Sequence, residues 1–125
     1  MGVLYFGDPQ TAIGLIMAKI PLVGIVHGRR GGVGWKRLFE CLRAHEIELP
    51  RWHRPNLDDK NIVQAFERTQ PTLIVSGVYP ELIPLSVLDL APGINVHPSD
   101  LPSWRGPDPI VHTLLSGQTE SAICV

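Results

Sequence analysis

Asn95 and His97, in the stretch INVHPSDLPSWRGPDPI (94–110), are the residues whose types and spacing best suit chemistry. They stand two apart on what reads as a strand, so their side chains leave the same face. An amide donor beside an imidazole suits acyl-type reactions. The amide, with a protonated imidazole, can stabilise an oxyanion, and the imidazole can move protons near neutral pH. Ser99 could hydrogen-bond either the turn or the imidazole. Asn-x-His is a short pattern, however. A plain alternative is that both residues satisfy backbone groups where a strand enters a proline-rich turn.

A second group is HGRRGGVGWKR (27–37), with glycines and cations ahead of a helix. Such a segment can hold an anion, with Arg29 and Arg30 as its cations. It fits neither G-x-x-x-x-G-K-[ST] nor G-x-G-x-x-G, so a solvated basic loop stays equally open. Trp104-Arg105-Gly106 offers a further cation, suited to a substrate phosphate. The alternative there is that Trp104 packs the loop down while Arg105 pairs with Asp100 or Asp108. His27 ends a strand and either lines a crevice or is a satisfied edge residue. His45, His53 and His112 read as ordinary surface or helix residues. No grouping with cysteine or carboxylate has metal spacing, so no metal is expected.

Alternating apolar runs and amphipathic stretches must position these residues. VLYFG (3–7) is a strand, and Asp8-Pro9 opens a helix through DPQTAIGLIMAKI (8–20), with Ile13, Met17 and Ile20 inward. PLVGIVHG (21–28) is a second strand. WKRLFECLRAHEI (35–47) is an amphipathic helix with Trp35, Leu38, Phe39, Leu42 and Ile47 on its apolar stripe. A short strand is allowed at IELPRW (47–52). NLDDKNIVQAFERTQ (56–70) is a helix capped by Asp58 or Asp59, with Ile62 and Phe66 inward. PTLIVSGVY (71–79) is a strand, and ELIPLSVLDLAPG (81–93) carries a short helix ended by Pro92-Gly93. INVH (94–97) is a strand, DPIVHTLLSGQ (108–118) a helix capped by Asp108, and TESAICV (119–125) begins one more strand. This alternation predicts an α/β fold with a doubly wound, mostly parallel sheet. In such sheets ligands bind beyond the carboxyl ends of the strands, where Asn95 and His97 are expected.

A length of 125 residues suits one domain, 1–125, and a net charge of −1 gives no global attraction for nucleic acid or anionic membrane. Cys41 and Cys124 are expected to be free thiols in a reducing compartment. The chain carries neither a leader pattern nor an apolar run approaching the roughly 20 residues that span a bilayer, so a cytoplasmic location without membrane contact is expected.

The 94–110 stretch closely resembles the signature of the N10-formyltetrahydrofolate-dependent formyltransferases: N-[ILV]-H-P-S-L-L-P, a basic or aromatic pair, then R-G-x-x-P-I. It is matched at Asn95, His97, Pro98, Ser99, Leu101, Pro102, Arg105, Gly106, Pro109 and Ile110. PTLIVSGVYPELIPLSVLDLAPG (71–93) is similar to the family's P-D-L-I-V-V-x-A-Y-G-x-I-L-P and V-L-D-L segments. VLYFGDPQTA resembles V-x-F-F-G-[ST]-P-x-F-A, and SGQTESAICV resembles G-x-T-E-T-G-[VI]-T. The likeness runs in order through nearly the whole chain.

The resemblance implies a Rossmann-like catalytic domain that moves a formyl group from 10-formyltetrahydrofolate to an amine. By resemblance Asn95 and His97 are catalytic. Gly77, Val78, Tyr79, Pro80, Leu82 and Ile83 hold the pterin, largely through backbone groups. Ser99, Arg105, Gly106, Arg29 and Arg30 serve the substrate. Initiator methionyl-tRNA is the implied acceptor, with amino sugar nucleotides the nearest competitor. Leu101-Pro102 is expected as a cis peptide in the tight turn. Three departures stand out. The family's catalytic aspartate falls past Val125, so the domain reads as incomplete and missing its last strands, with Asp100 and Asp108 the only nearby stand-ins. Pro80 replaces the glycine of A-Y-G. No second domain is expected within these 125 residues. A non-catalytic module for folate or another anion, or a nucleotide-binding Rossmann-like domain, are the readings from other classes.

Overall fold

The structure, a computed structural model, describes residues 1–28, 33–106 and 108–125. Arg29 and Arg30 therefore lie outside the described residues. The chain divides into two units, Met1–Ile94 and Asn95–Val125.

In the first unit, β1 (Val3–Gly7), β2 (Leu22–His27), β3 (Arg51–His53) and β4 (Leu73–Gly77) alternate with α1 (Pro9–Met17), α2 (Val33–Ala44), α3 (Lys60–Arg68) and α4 (Leu85–Leu88). β5 (Gly93–Val96) starts at the end of this unit, and the strand order is β3-β2-β1-β4-β5. The ladders β1–β2, β1–β4 and β2–β3 are all parallel. This is the doubly wound α/β arrangement the alternation predicts.

Its core follows from the two-residue period of a central strand. Val3 and Tyr5 face α1 and α2, where they join Ala12, Ile16, Leu38 and Leu42. Leu4 and Phe6 face the opposite way and pack with Phe66 of α3 and Val87 of α4. Burial on both faces explains why β1 reads as an unbroken apolar run. Phe66 holds the second face together, meeting Phe6 edge-on at 5.6 Å and Trp52 at 4.8 Å between ring centroids.

The helix starts follow their capping residues. Asp8 Oδ1 accepts from the backbone N–H of Gln10 and Thr11, with Pro9 at the first helical position. Asp59 caps α3 through Asn61 N–H, while Asn56 takes the N–H of Asp58.

Several expected details are corrected. α1 ends at Met17, which is 63% exposed and not inward; Ala12 and Ile16 are its buried residues, with Ile13 and Ile20 partly buried against the same core as expected. On α2 Leu38 and Leu42 are buried and Trp35 packs partly buried beside them, as does Ile47, so Phe39 is the exception on the expected stripe. Phe39 is 42% exposed beneath the Arg51 guanidinium, 4.5 Å from its ring centroid. Ile47 lies past the helix end, and the helix before β5 is only the four residues Leu85–Leu88.

In the second unit, α5 (Pro109–Leu115) is shorter than the expected 108–118. Asp108 occupies its N-cap position but has φ 55° and makes no side-chain capping bond. In place of a strand over 119–125 there is one antiparallel bridge, between His97 and Cys124. A ladder needs successive pairings, and only residue 124 finds one. Among the described residues no helix is long and apolar enough to cross a membrane.

Candidate active site

β5 ends at Val96, one residue short of the expected strand, so it carries Asn95 while His97 follows directly after it in an isolated bridge to Cys124. Asn95 is exposed. His97 is fixed from two directions. Its backbone exchanges both hydrogen bonds with Cys124 at 2.9 Å, and its ring Nε2 lies 3.0 Å from the Trp104 carbonyl oxygen. A carbonyl only accepts, so Nε2 carries the proton in this bond, and in the neutral ring Nδ1 keeps the lone pair.

The turn that follows is compact. Ser99 is fully buried and its hydroxyl donates to the Ser103 carbonyl at 2.8 Å, so Ser99 holds the turn rather than the imidazole. Leu101-Pro102 is cis, as expected. Trp104 has φ 55°. Its indole stacks on His112 at 5.6 Å with an 8° interplanar angle, and its N–H donates to Gln118 Oε1 at 3.0 Å. His112 is thus half of an aromatic pair. Arg105 and Gly106 are exposed, Gly106 with φ 92°. The sole salt bridge among the described residues joins Arg54 and Glu81, so the alternative in which Arg105 pairs with Asp100 or Asp108 is not formed.

In the first unit, the carboxyl ends of the parallel strands carry a second set of polar groups, at the edge where doubly wound sheets bind ligands. Asp8 N–H donates to the Gly77 carbonyl, and the Tyr5 hydroxyl lies 3.1 Å from the carbonyls of both Asp8 and Gly77. Thr11 donates to Asp8 Oδ2 at 2.7 Å. Burial, then the Asp8 charge, pushes the Tyr5 hydroxyl up, so it stays a neutral donor. Gly7 has φ 150°, and a Cβ there would run into the Gly77 carbonyl; only glycine allows β1 and β4 to end this close together.

The segment Gly77–Ile83 starts from that knot. Gly77 is buried, Val78 is exposed with φ 57°, and Leu82 is 96% exposed. Tyr79 packs edge-on to Phe6 at 5.3 Å between ring centroids, and Ile83 lies against the same core. Burial, with Glu81 adding to it, pushes the Tyr79 hydroxyl up to about 12. That hydroxyl is buried without a partner among the described residues. Pro80 sits against Gly28, where a Cβ would lie 2.6 Å from Pro80 Cγ. The Arg54 N–H donates to the His27 carbonyl at 2.8 Å, and its guanidinium reaches Glu81 at 3.7 Å. The ends of β2 and β3 therefore brace residues 80 and 81.

His27 is 6% exposed, with the Trp35 ring nearly perpendicular to it at 3.9 Å between centroids and Nδ1 without a partner among the described residues. It is not the satisfied edge residue one alternative supposed. His53 pairs in register with it, and its Nε2 is also buried without a partner among the described residues. His53 as a whole is half-buried, and nothing in the local sequence marks its Nε2 as covered. Among the described residues no cluster of three or more His, Cys, Asp or Glu could hold a metal ion.

A family model described as formyl transferase matches residues 17–125. The chain belongs to the formyl transferase family. Curated relatives include the methionyl-tRNA formyltransferases of a Nitratiruptor species, 28% identical over 98% of this chain and 44% of the relative, and of Syntrophus aciditrophicus, 30% identical over 100% and 43%. The chain spans less than half the length of these relatives. Among solved structures it superposes on a phosphoribosylglycinamide formyltransferase from Streptococcus pneumoniae with TM-score 0.72 and 16% identity, over 98% of this chain and 69% of that one. A sugar N-formyltransferase from a Shewanella species gives TM-score 0.61 and 18% identity, over 94% of this chain and 47% of that one. At these identities the structural matches show a formyl transferase fold and do not choose an acceptor.

Proposed function

We propose that the chain is the amino-terminal part of a catalytic domain that moves a formyl group from 10-formyltetrahydrofolate to an amine, and that the amine is methionyl-tRNA. The amine nitrogen attacks the formyl carbon. As the new C–N bond forms and the bond to folate N10 breaks, the amine gives up a proton and N10 takes one. Asn95 donates to the oxyanion of the tetrahedral intermediate, and His97 stabilises it when protonated and relays the amine's proton. Gly77, Val78, Tyr79, Pro80, Leu82 and Ile83 hold the pterin, while Arg105, Gly106, Arg29 and Arg30 serve the acceptor side; Ser99, expected with them, is buried and holds the turn ahead of Arg105.

The observation that carries the reading is His97, a family-signature histidine with its backbone fixed by Cys124 and one ring nitrogen fixed by a carbonyl. An imidazole held this way is prepared for proton transfer at its other nitrogen. The two curated relatives above, both named methionyl-tRNA formyltransferase, support the acceptor.

The test is a thermal-shift titration with a stable 10-formyltetrahydrofolate analogue, run beside His97→Ala and a control nucleotide. A saturable rise in Tm with the folate alone supports the reading, because a ligand that binds only the native state stabilises it by mass action. A shift with the nucleotide and none with the folate overturns it. Where the folate binds, formylation of an amino sugar nucleotide but not of methionyl-tRNA overturns the acceptor and keeps the chemistry.

A further inference from the structure

The bond that settles the protonation of His97 comes from the main chain of Trp104, and the geometry points to Trp104 as a positioning residue. We propose that its carbonyl holds the imidazole so that Nδ1 is the nitrogen presented for proton transfer, and that its indole, gripped by His112 and Gln118, keeps the carbonyl in place. The proposal rests on the reading of His97 as catalytic, and adds which ring atom acts and what aims it.

Three observations carry it. With its backbone tied to Cys124 by two bonds, His97 keeps only its side-chain torsions, and the 3.0 Å contact from Nε2 to the Trp104 oxygen restrains those. Trp104 has φ 55°, a left-handed conformation disfavoured for a residue with a Cβ by about 1–2 kcal/mol, so other contacts must hold it there. Those contacts are present and independent of His97: the parallel stack on His112 in α5 and the 3.0 Å donation to Gln118 just beyond it. Releasing either grip frees the loop toward ordinary backbone, and the carbonyl leaves Nε2.

The experiment is imidazole ¹H–¹⁵N NMR on the full chain, following protection of the His97 Nε2 proton from solvent exchange, beside the melting temperature. In the wild type we expect the proton of the neutral ring on Nε2, protected from exchange, with the lone pair on Nδ1. Gln118→Leu and His112→Ala should each speed exchange of that proton about tenfold, the factor a lost hydrogen bond carries. Gln118→Glu, which keeps an acceptor, and His112→Phe, which keeps a stacking ring, should restore protection. Both positions are exposed, so these variants should fold. A wild type with its proton on Nδ1, or variants that lower Tm while leaving the Nε2 proton protected, would overturn the proposal. The readout needs neither folate nor acceptor, so its failure is separate from failure of the proposed reaction.

Discussion

Acid should weaken this fold through one buried imidazole. His27 closes β2 with 6% of its surface exposed, and its pKa is lowered from the ordinary 6.5 to about 4. Burial is the largest cause, followed by the charges of His53 beside it and Arg51, both of which oppose a second cation. The unfolded chain takes up this proton as pH falls through about 6.5, whereas the native state resists until near 4. Between those values the unfolded state binds more protons, so stability must fall with pH. A difference of about 2.5 units corresponds to about 3 kcal/mol once both states are protonated, of which about 2 kcal/mol is lost by about pH 5. The measurement is urea unfolding at a series of pH values from about 7.5 to 5, on the wild type and on His27→Gln, which cannot titrate. Gln should be less stable at neutral pH, because Trp35 packs on the ring it removes, but its pH slope should be flatter by about 2 kcal/mol over that range. Equal slopes in the two proteins would refute the reasoning.

Two further outcomes are expected. Gly28→Ala should cost about 1–3 kcal/mol, since its Cβ would lie 2.6 Å from Pro80 Cγ and push the 79–81 segment away; an unchanged urea midpoint would show that the contact is slack. Asp8→Ala should cost about 1–2 kcal/mol by thermal melting, because one carboxylate accepts from the N–H groups of Gln10 and Thr11 and from the Thr11 hydroxyl, and Asp8→Ser should recover part of it.

Local chemistry was readable wherever the determinant was local. The Asp8-Pro9 and Asp59 helix starts and the cis Leu101-Pro102 turn each depend on a few adjacent residues. The inward faces were readable only in part. α1 carries Ala, Ile, Leu or Met at most positions between 12 and 17, so no single stripe is distinguished, and its seat on the sheet selected Ala12 and Ile16. Phe39 looked inward by type, yet it stays 42% exposed at the rim beneath the Arg51 guanidinium, a solution open only once β3 lies alongside.

The sequence by itself determined the alternation of elements, hence the parallel doubly wound sheet, and it put Asn95 and His97 in a family signature, because hydrophobic period, capping and motif are properties of short stretches. Tertiary structure alone decided which histidines are buried, what braces residues 80 and 81, and which ring nitrogen of His97 is engaged. His27 meets His53 across 26 residues of chain through strand register, and the partner of His97 is a backbone oxygen, whose identity no side chain announces. Long-range pairing and main-chain acceptors exist only after the chain has closed, and these chose the working atoms from among the residues the sequence offered.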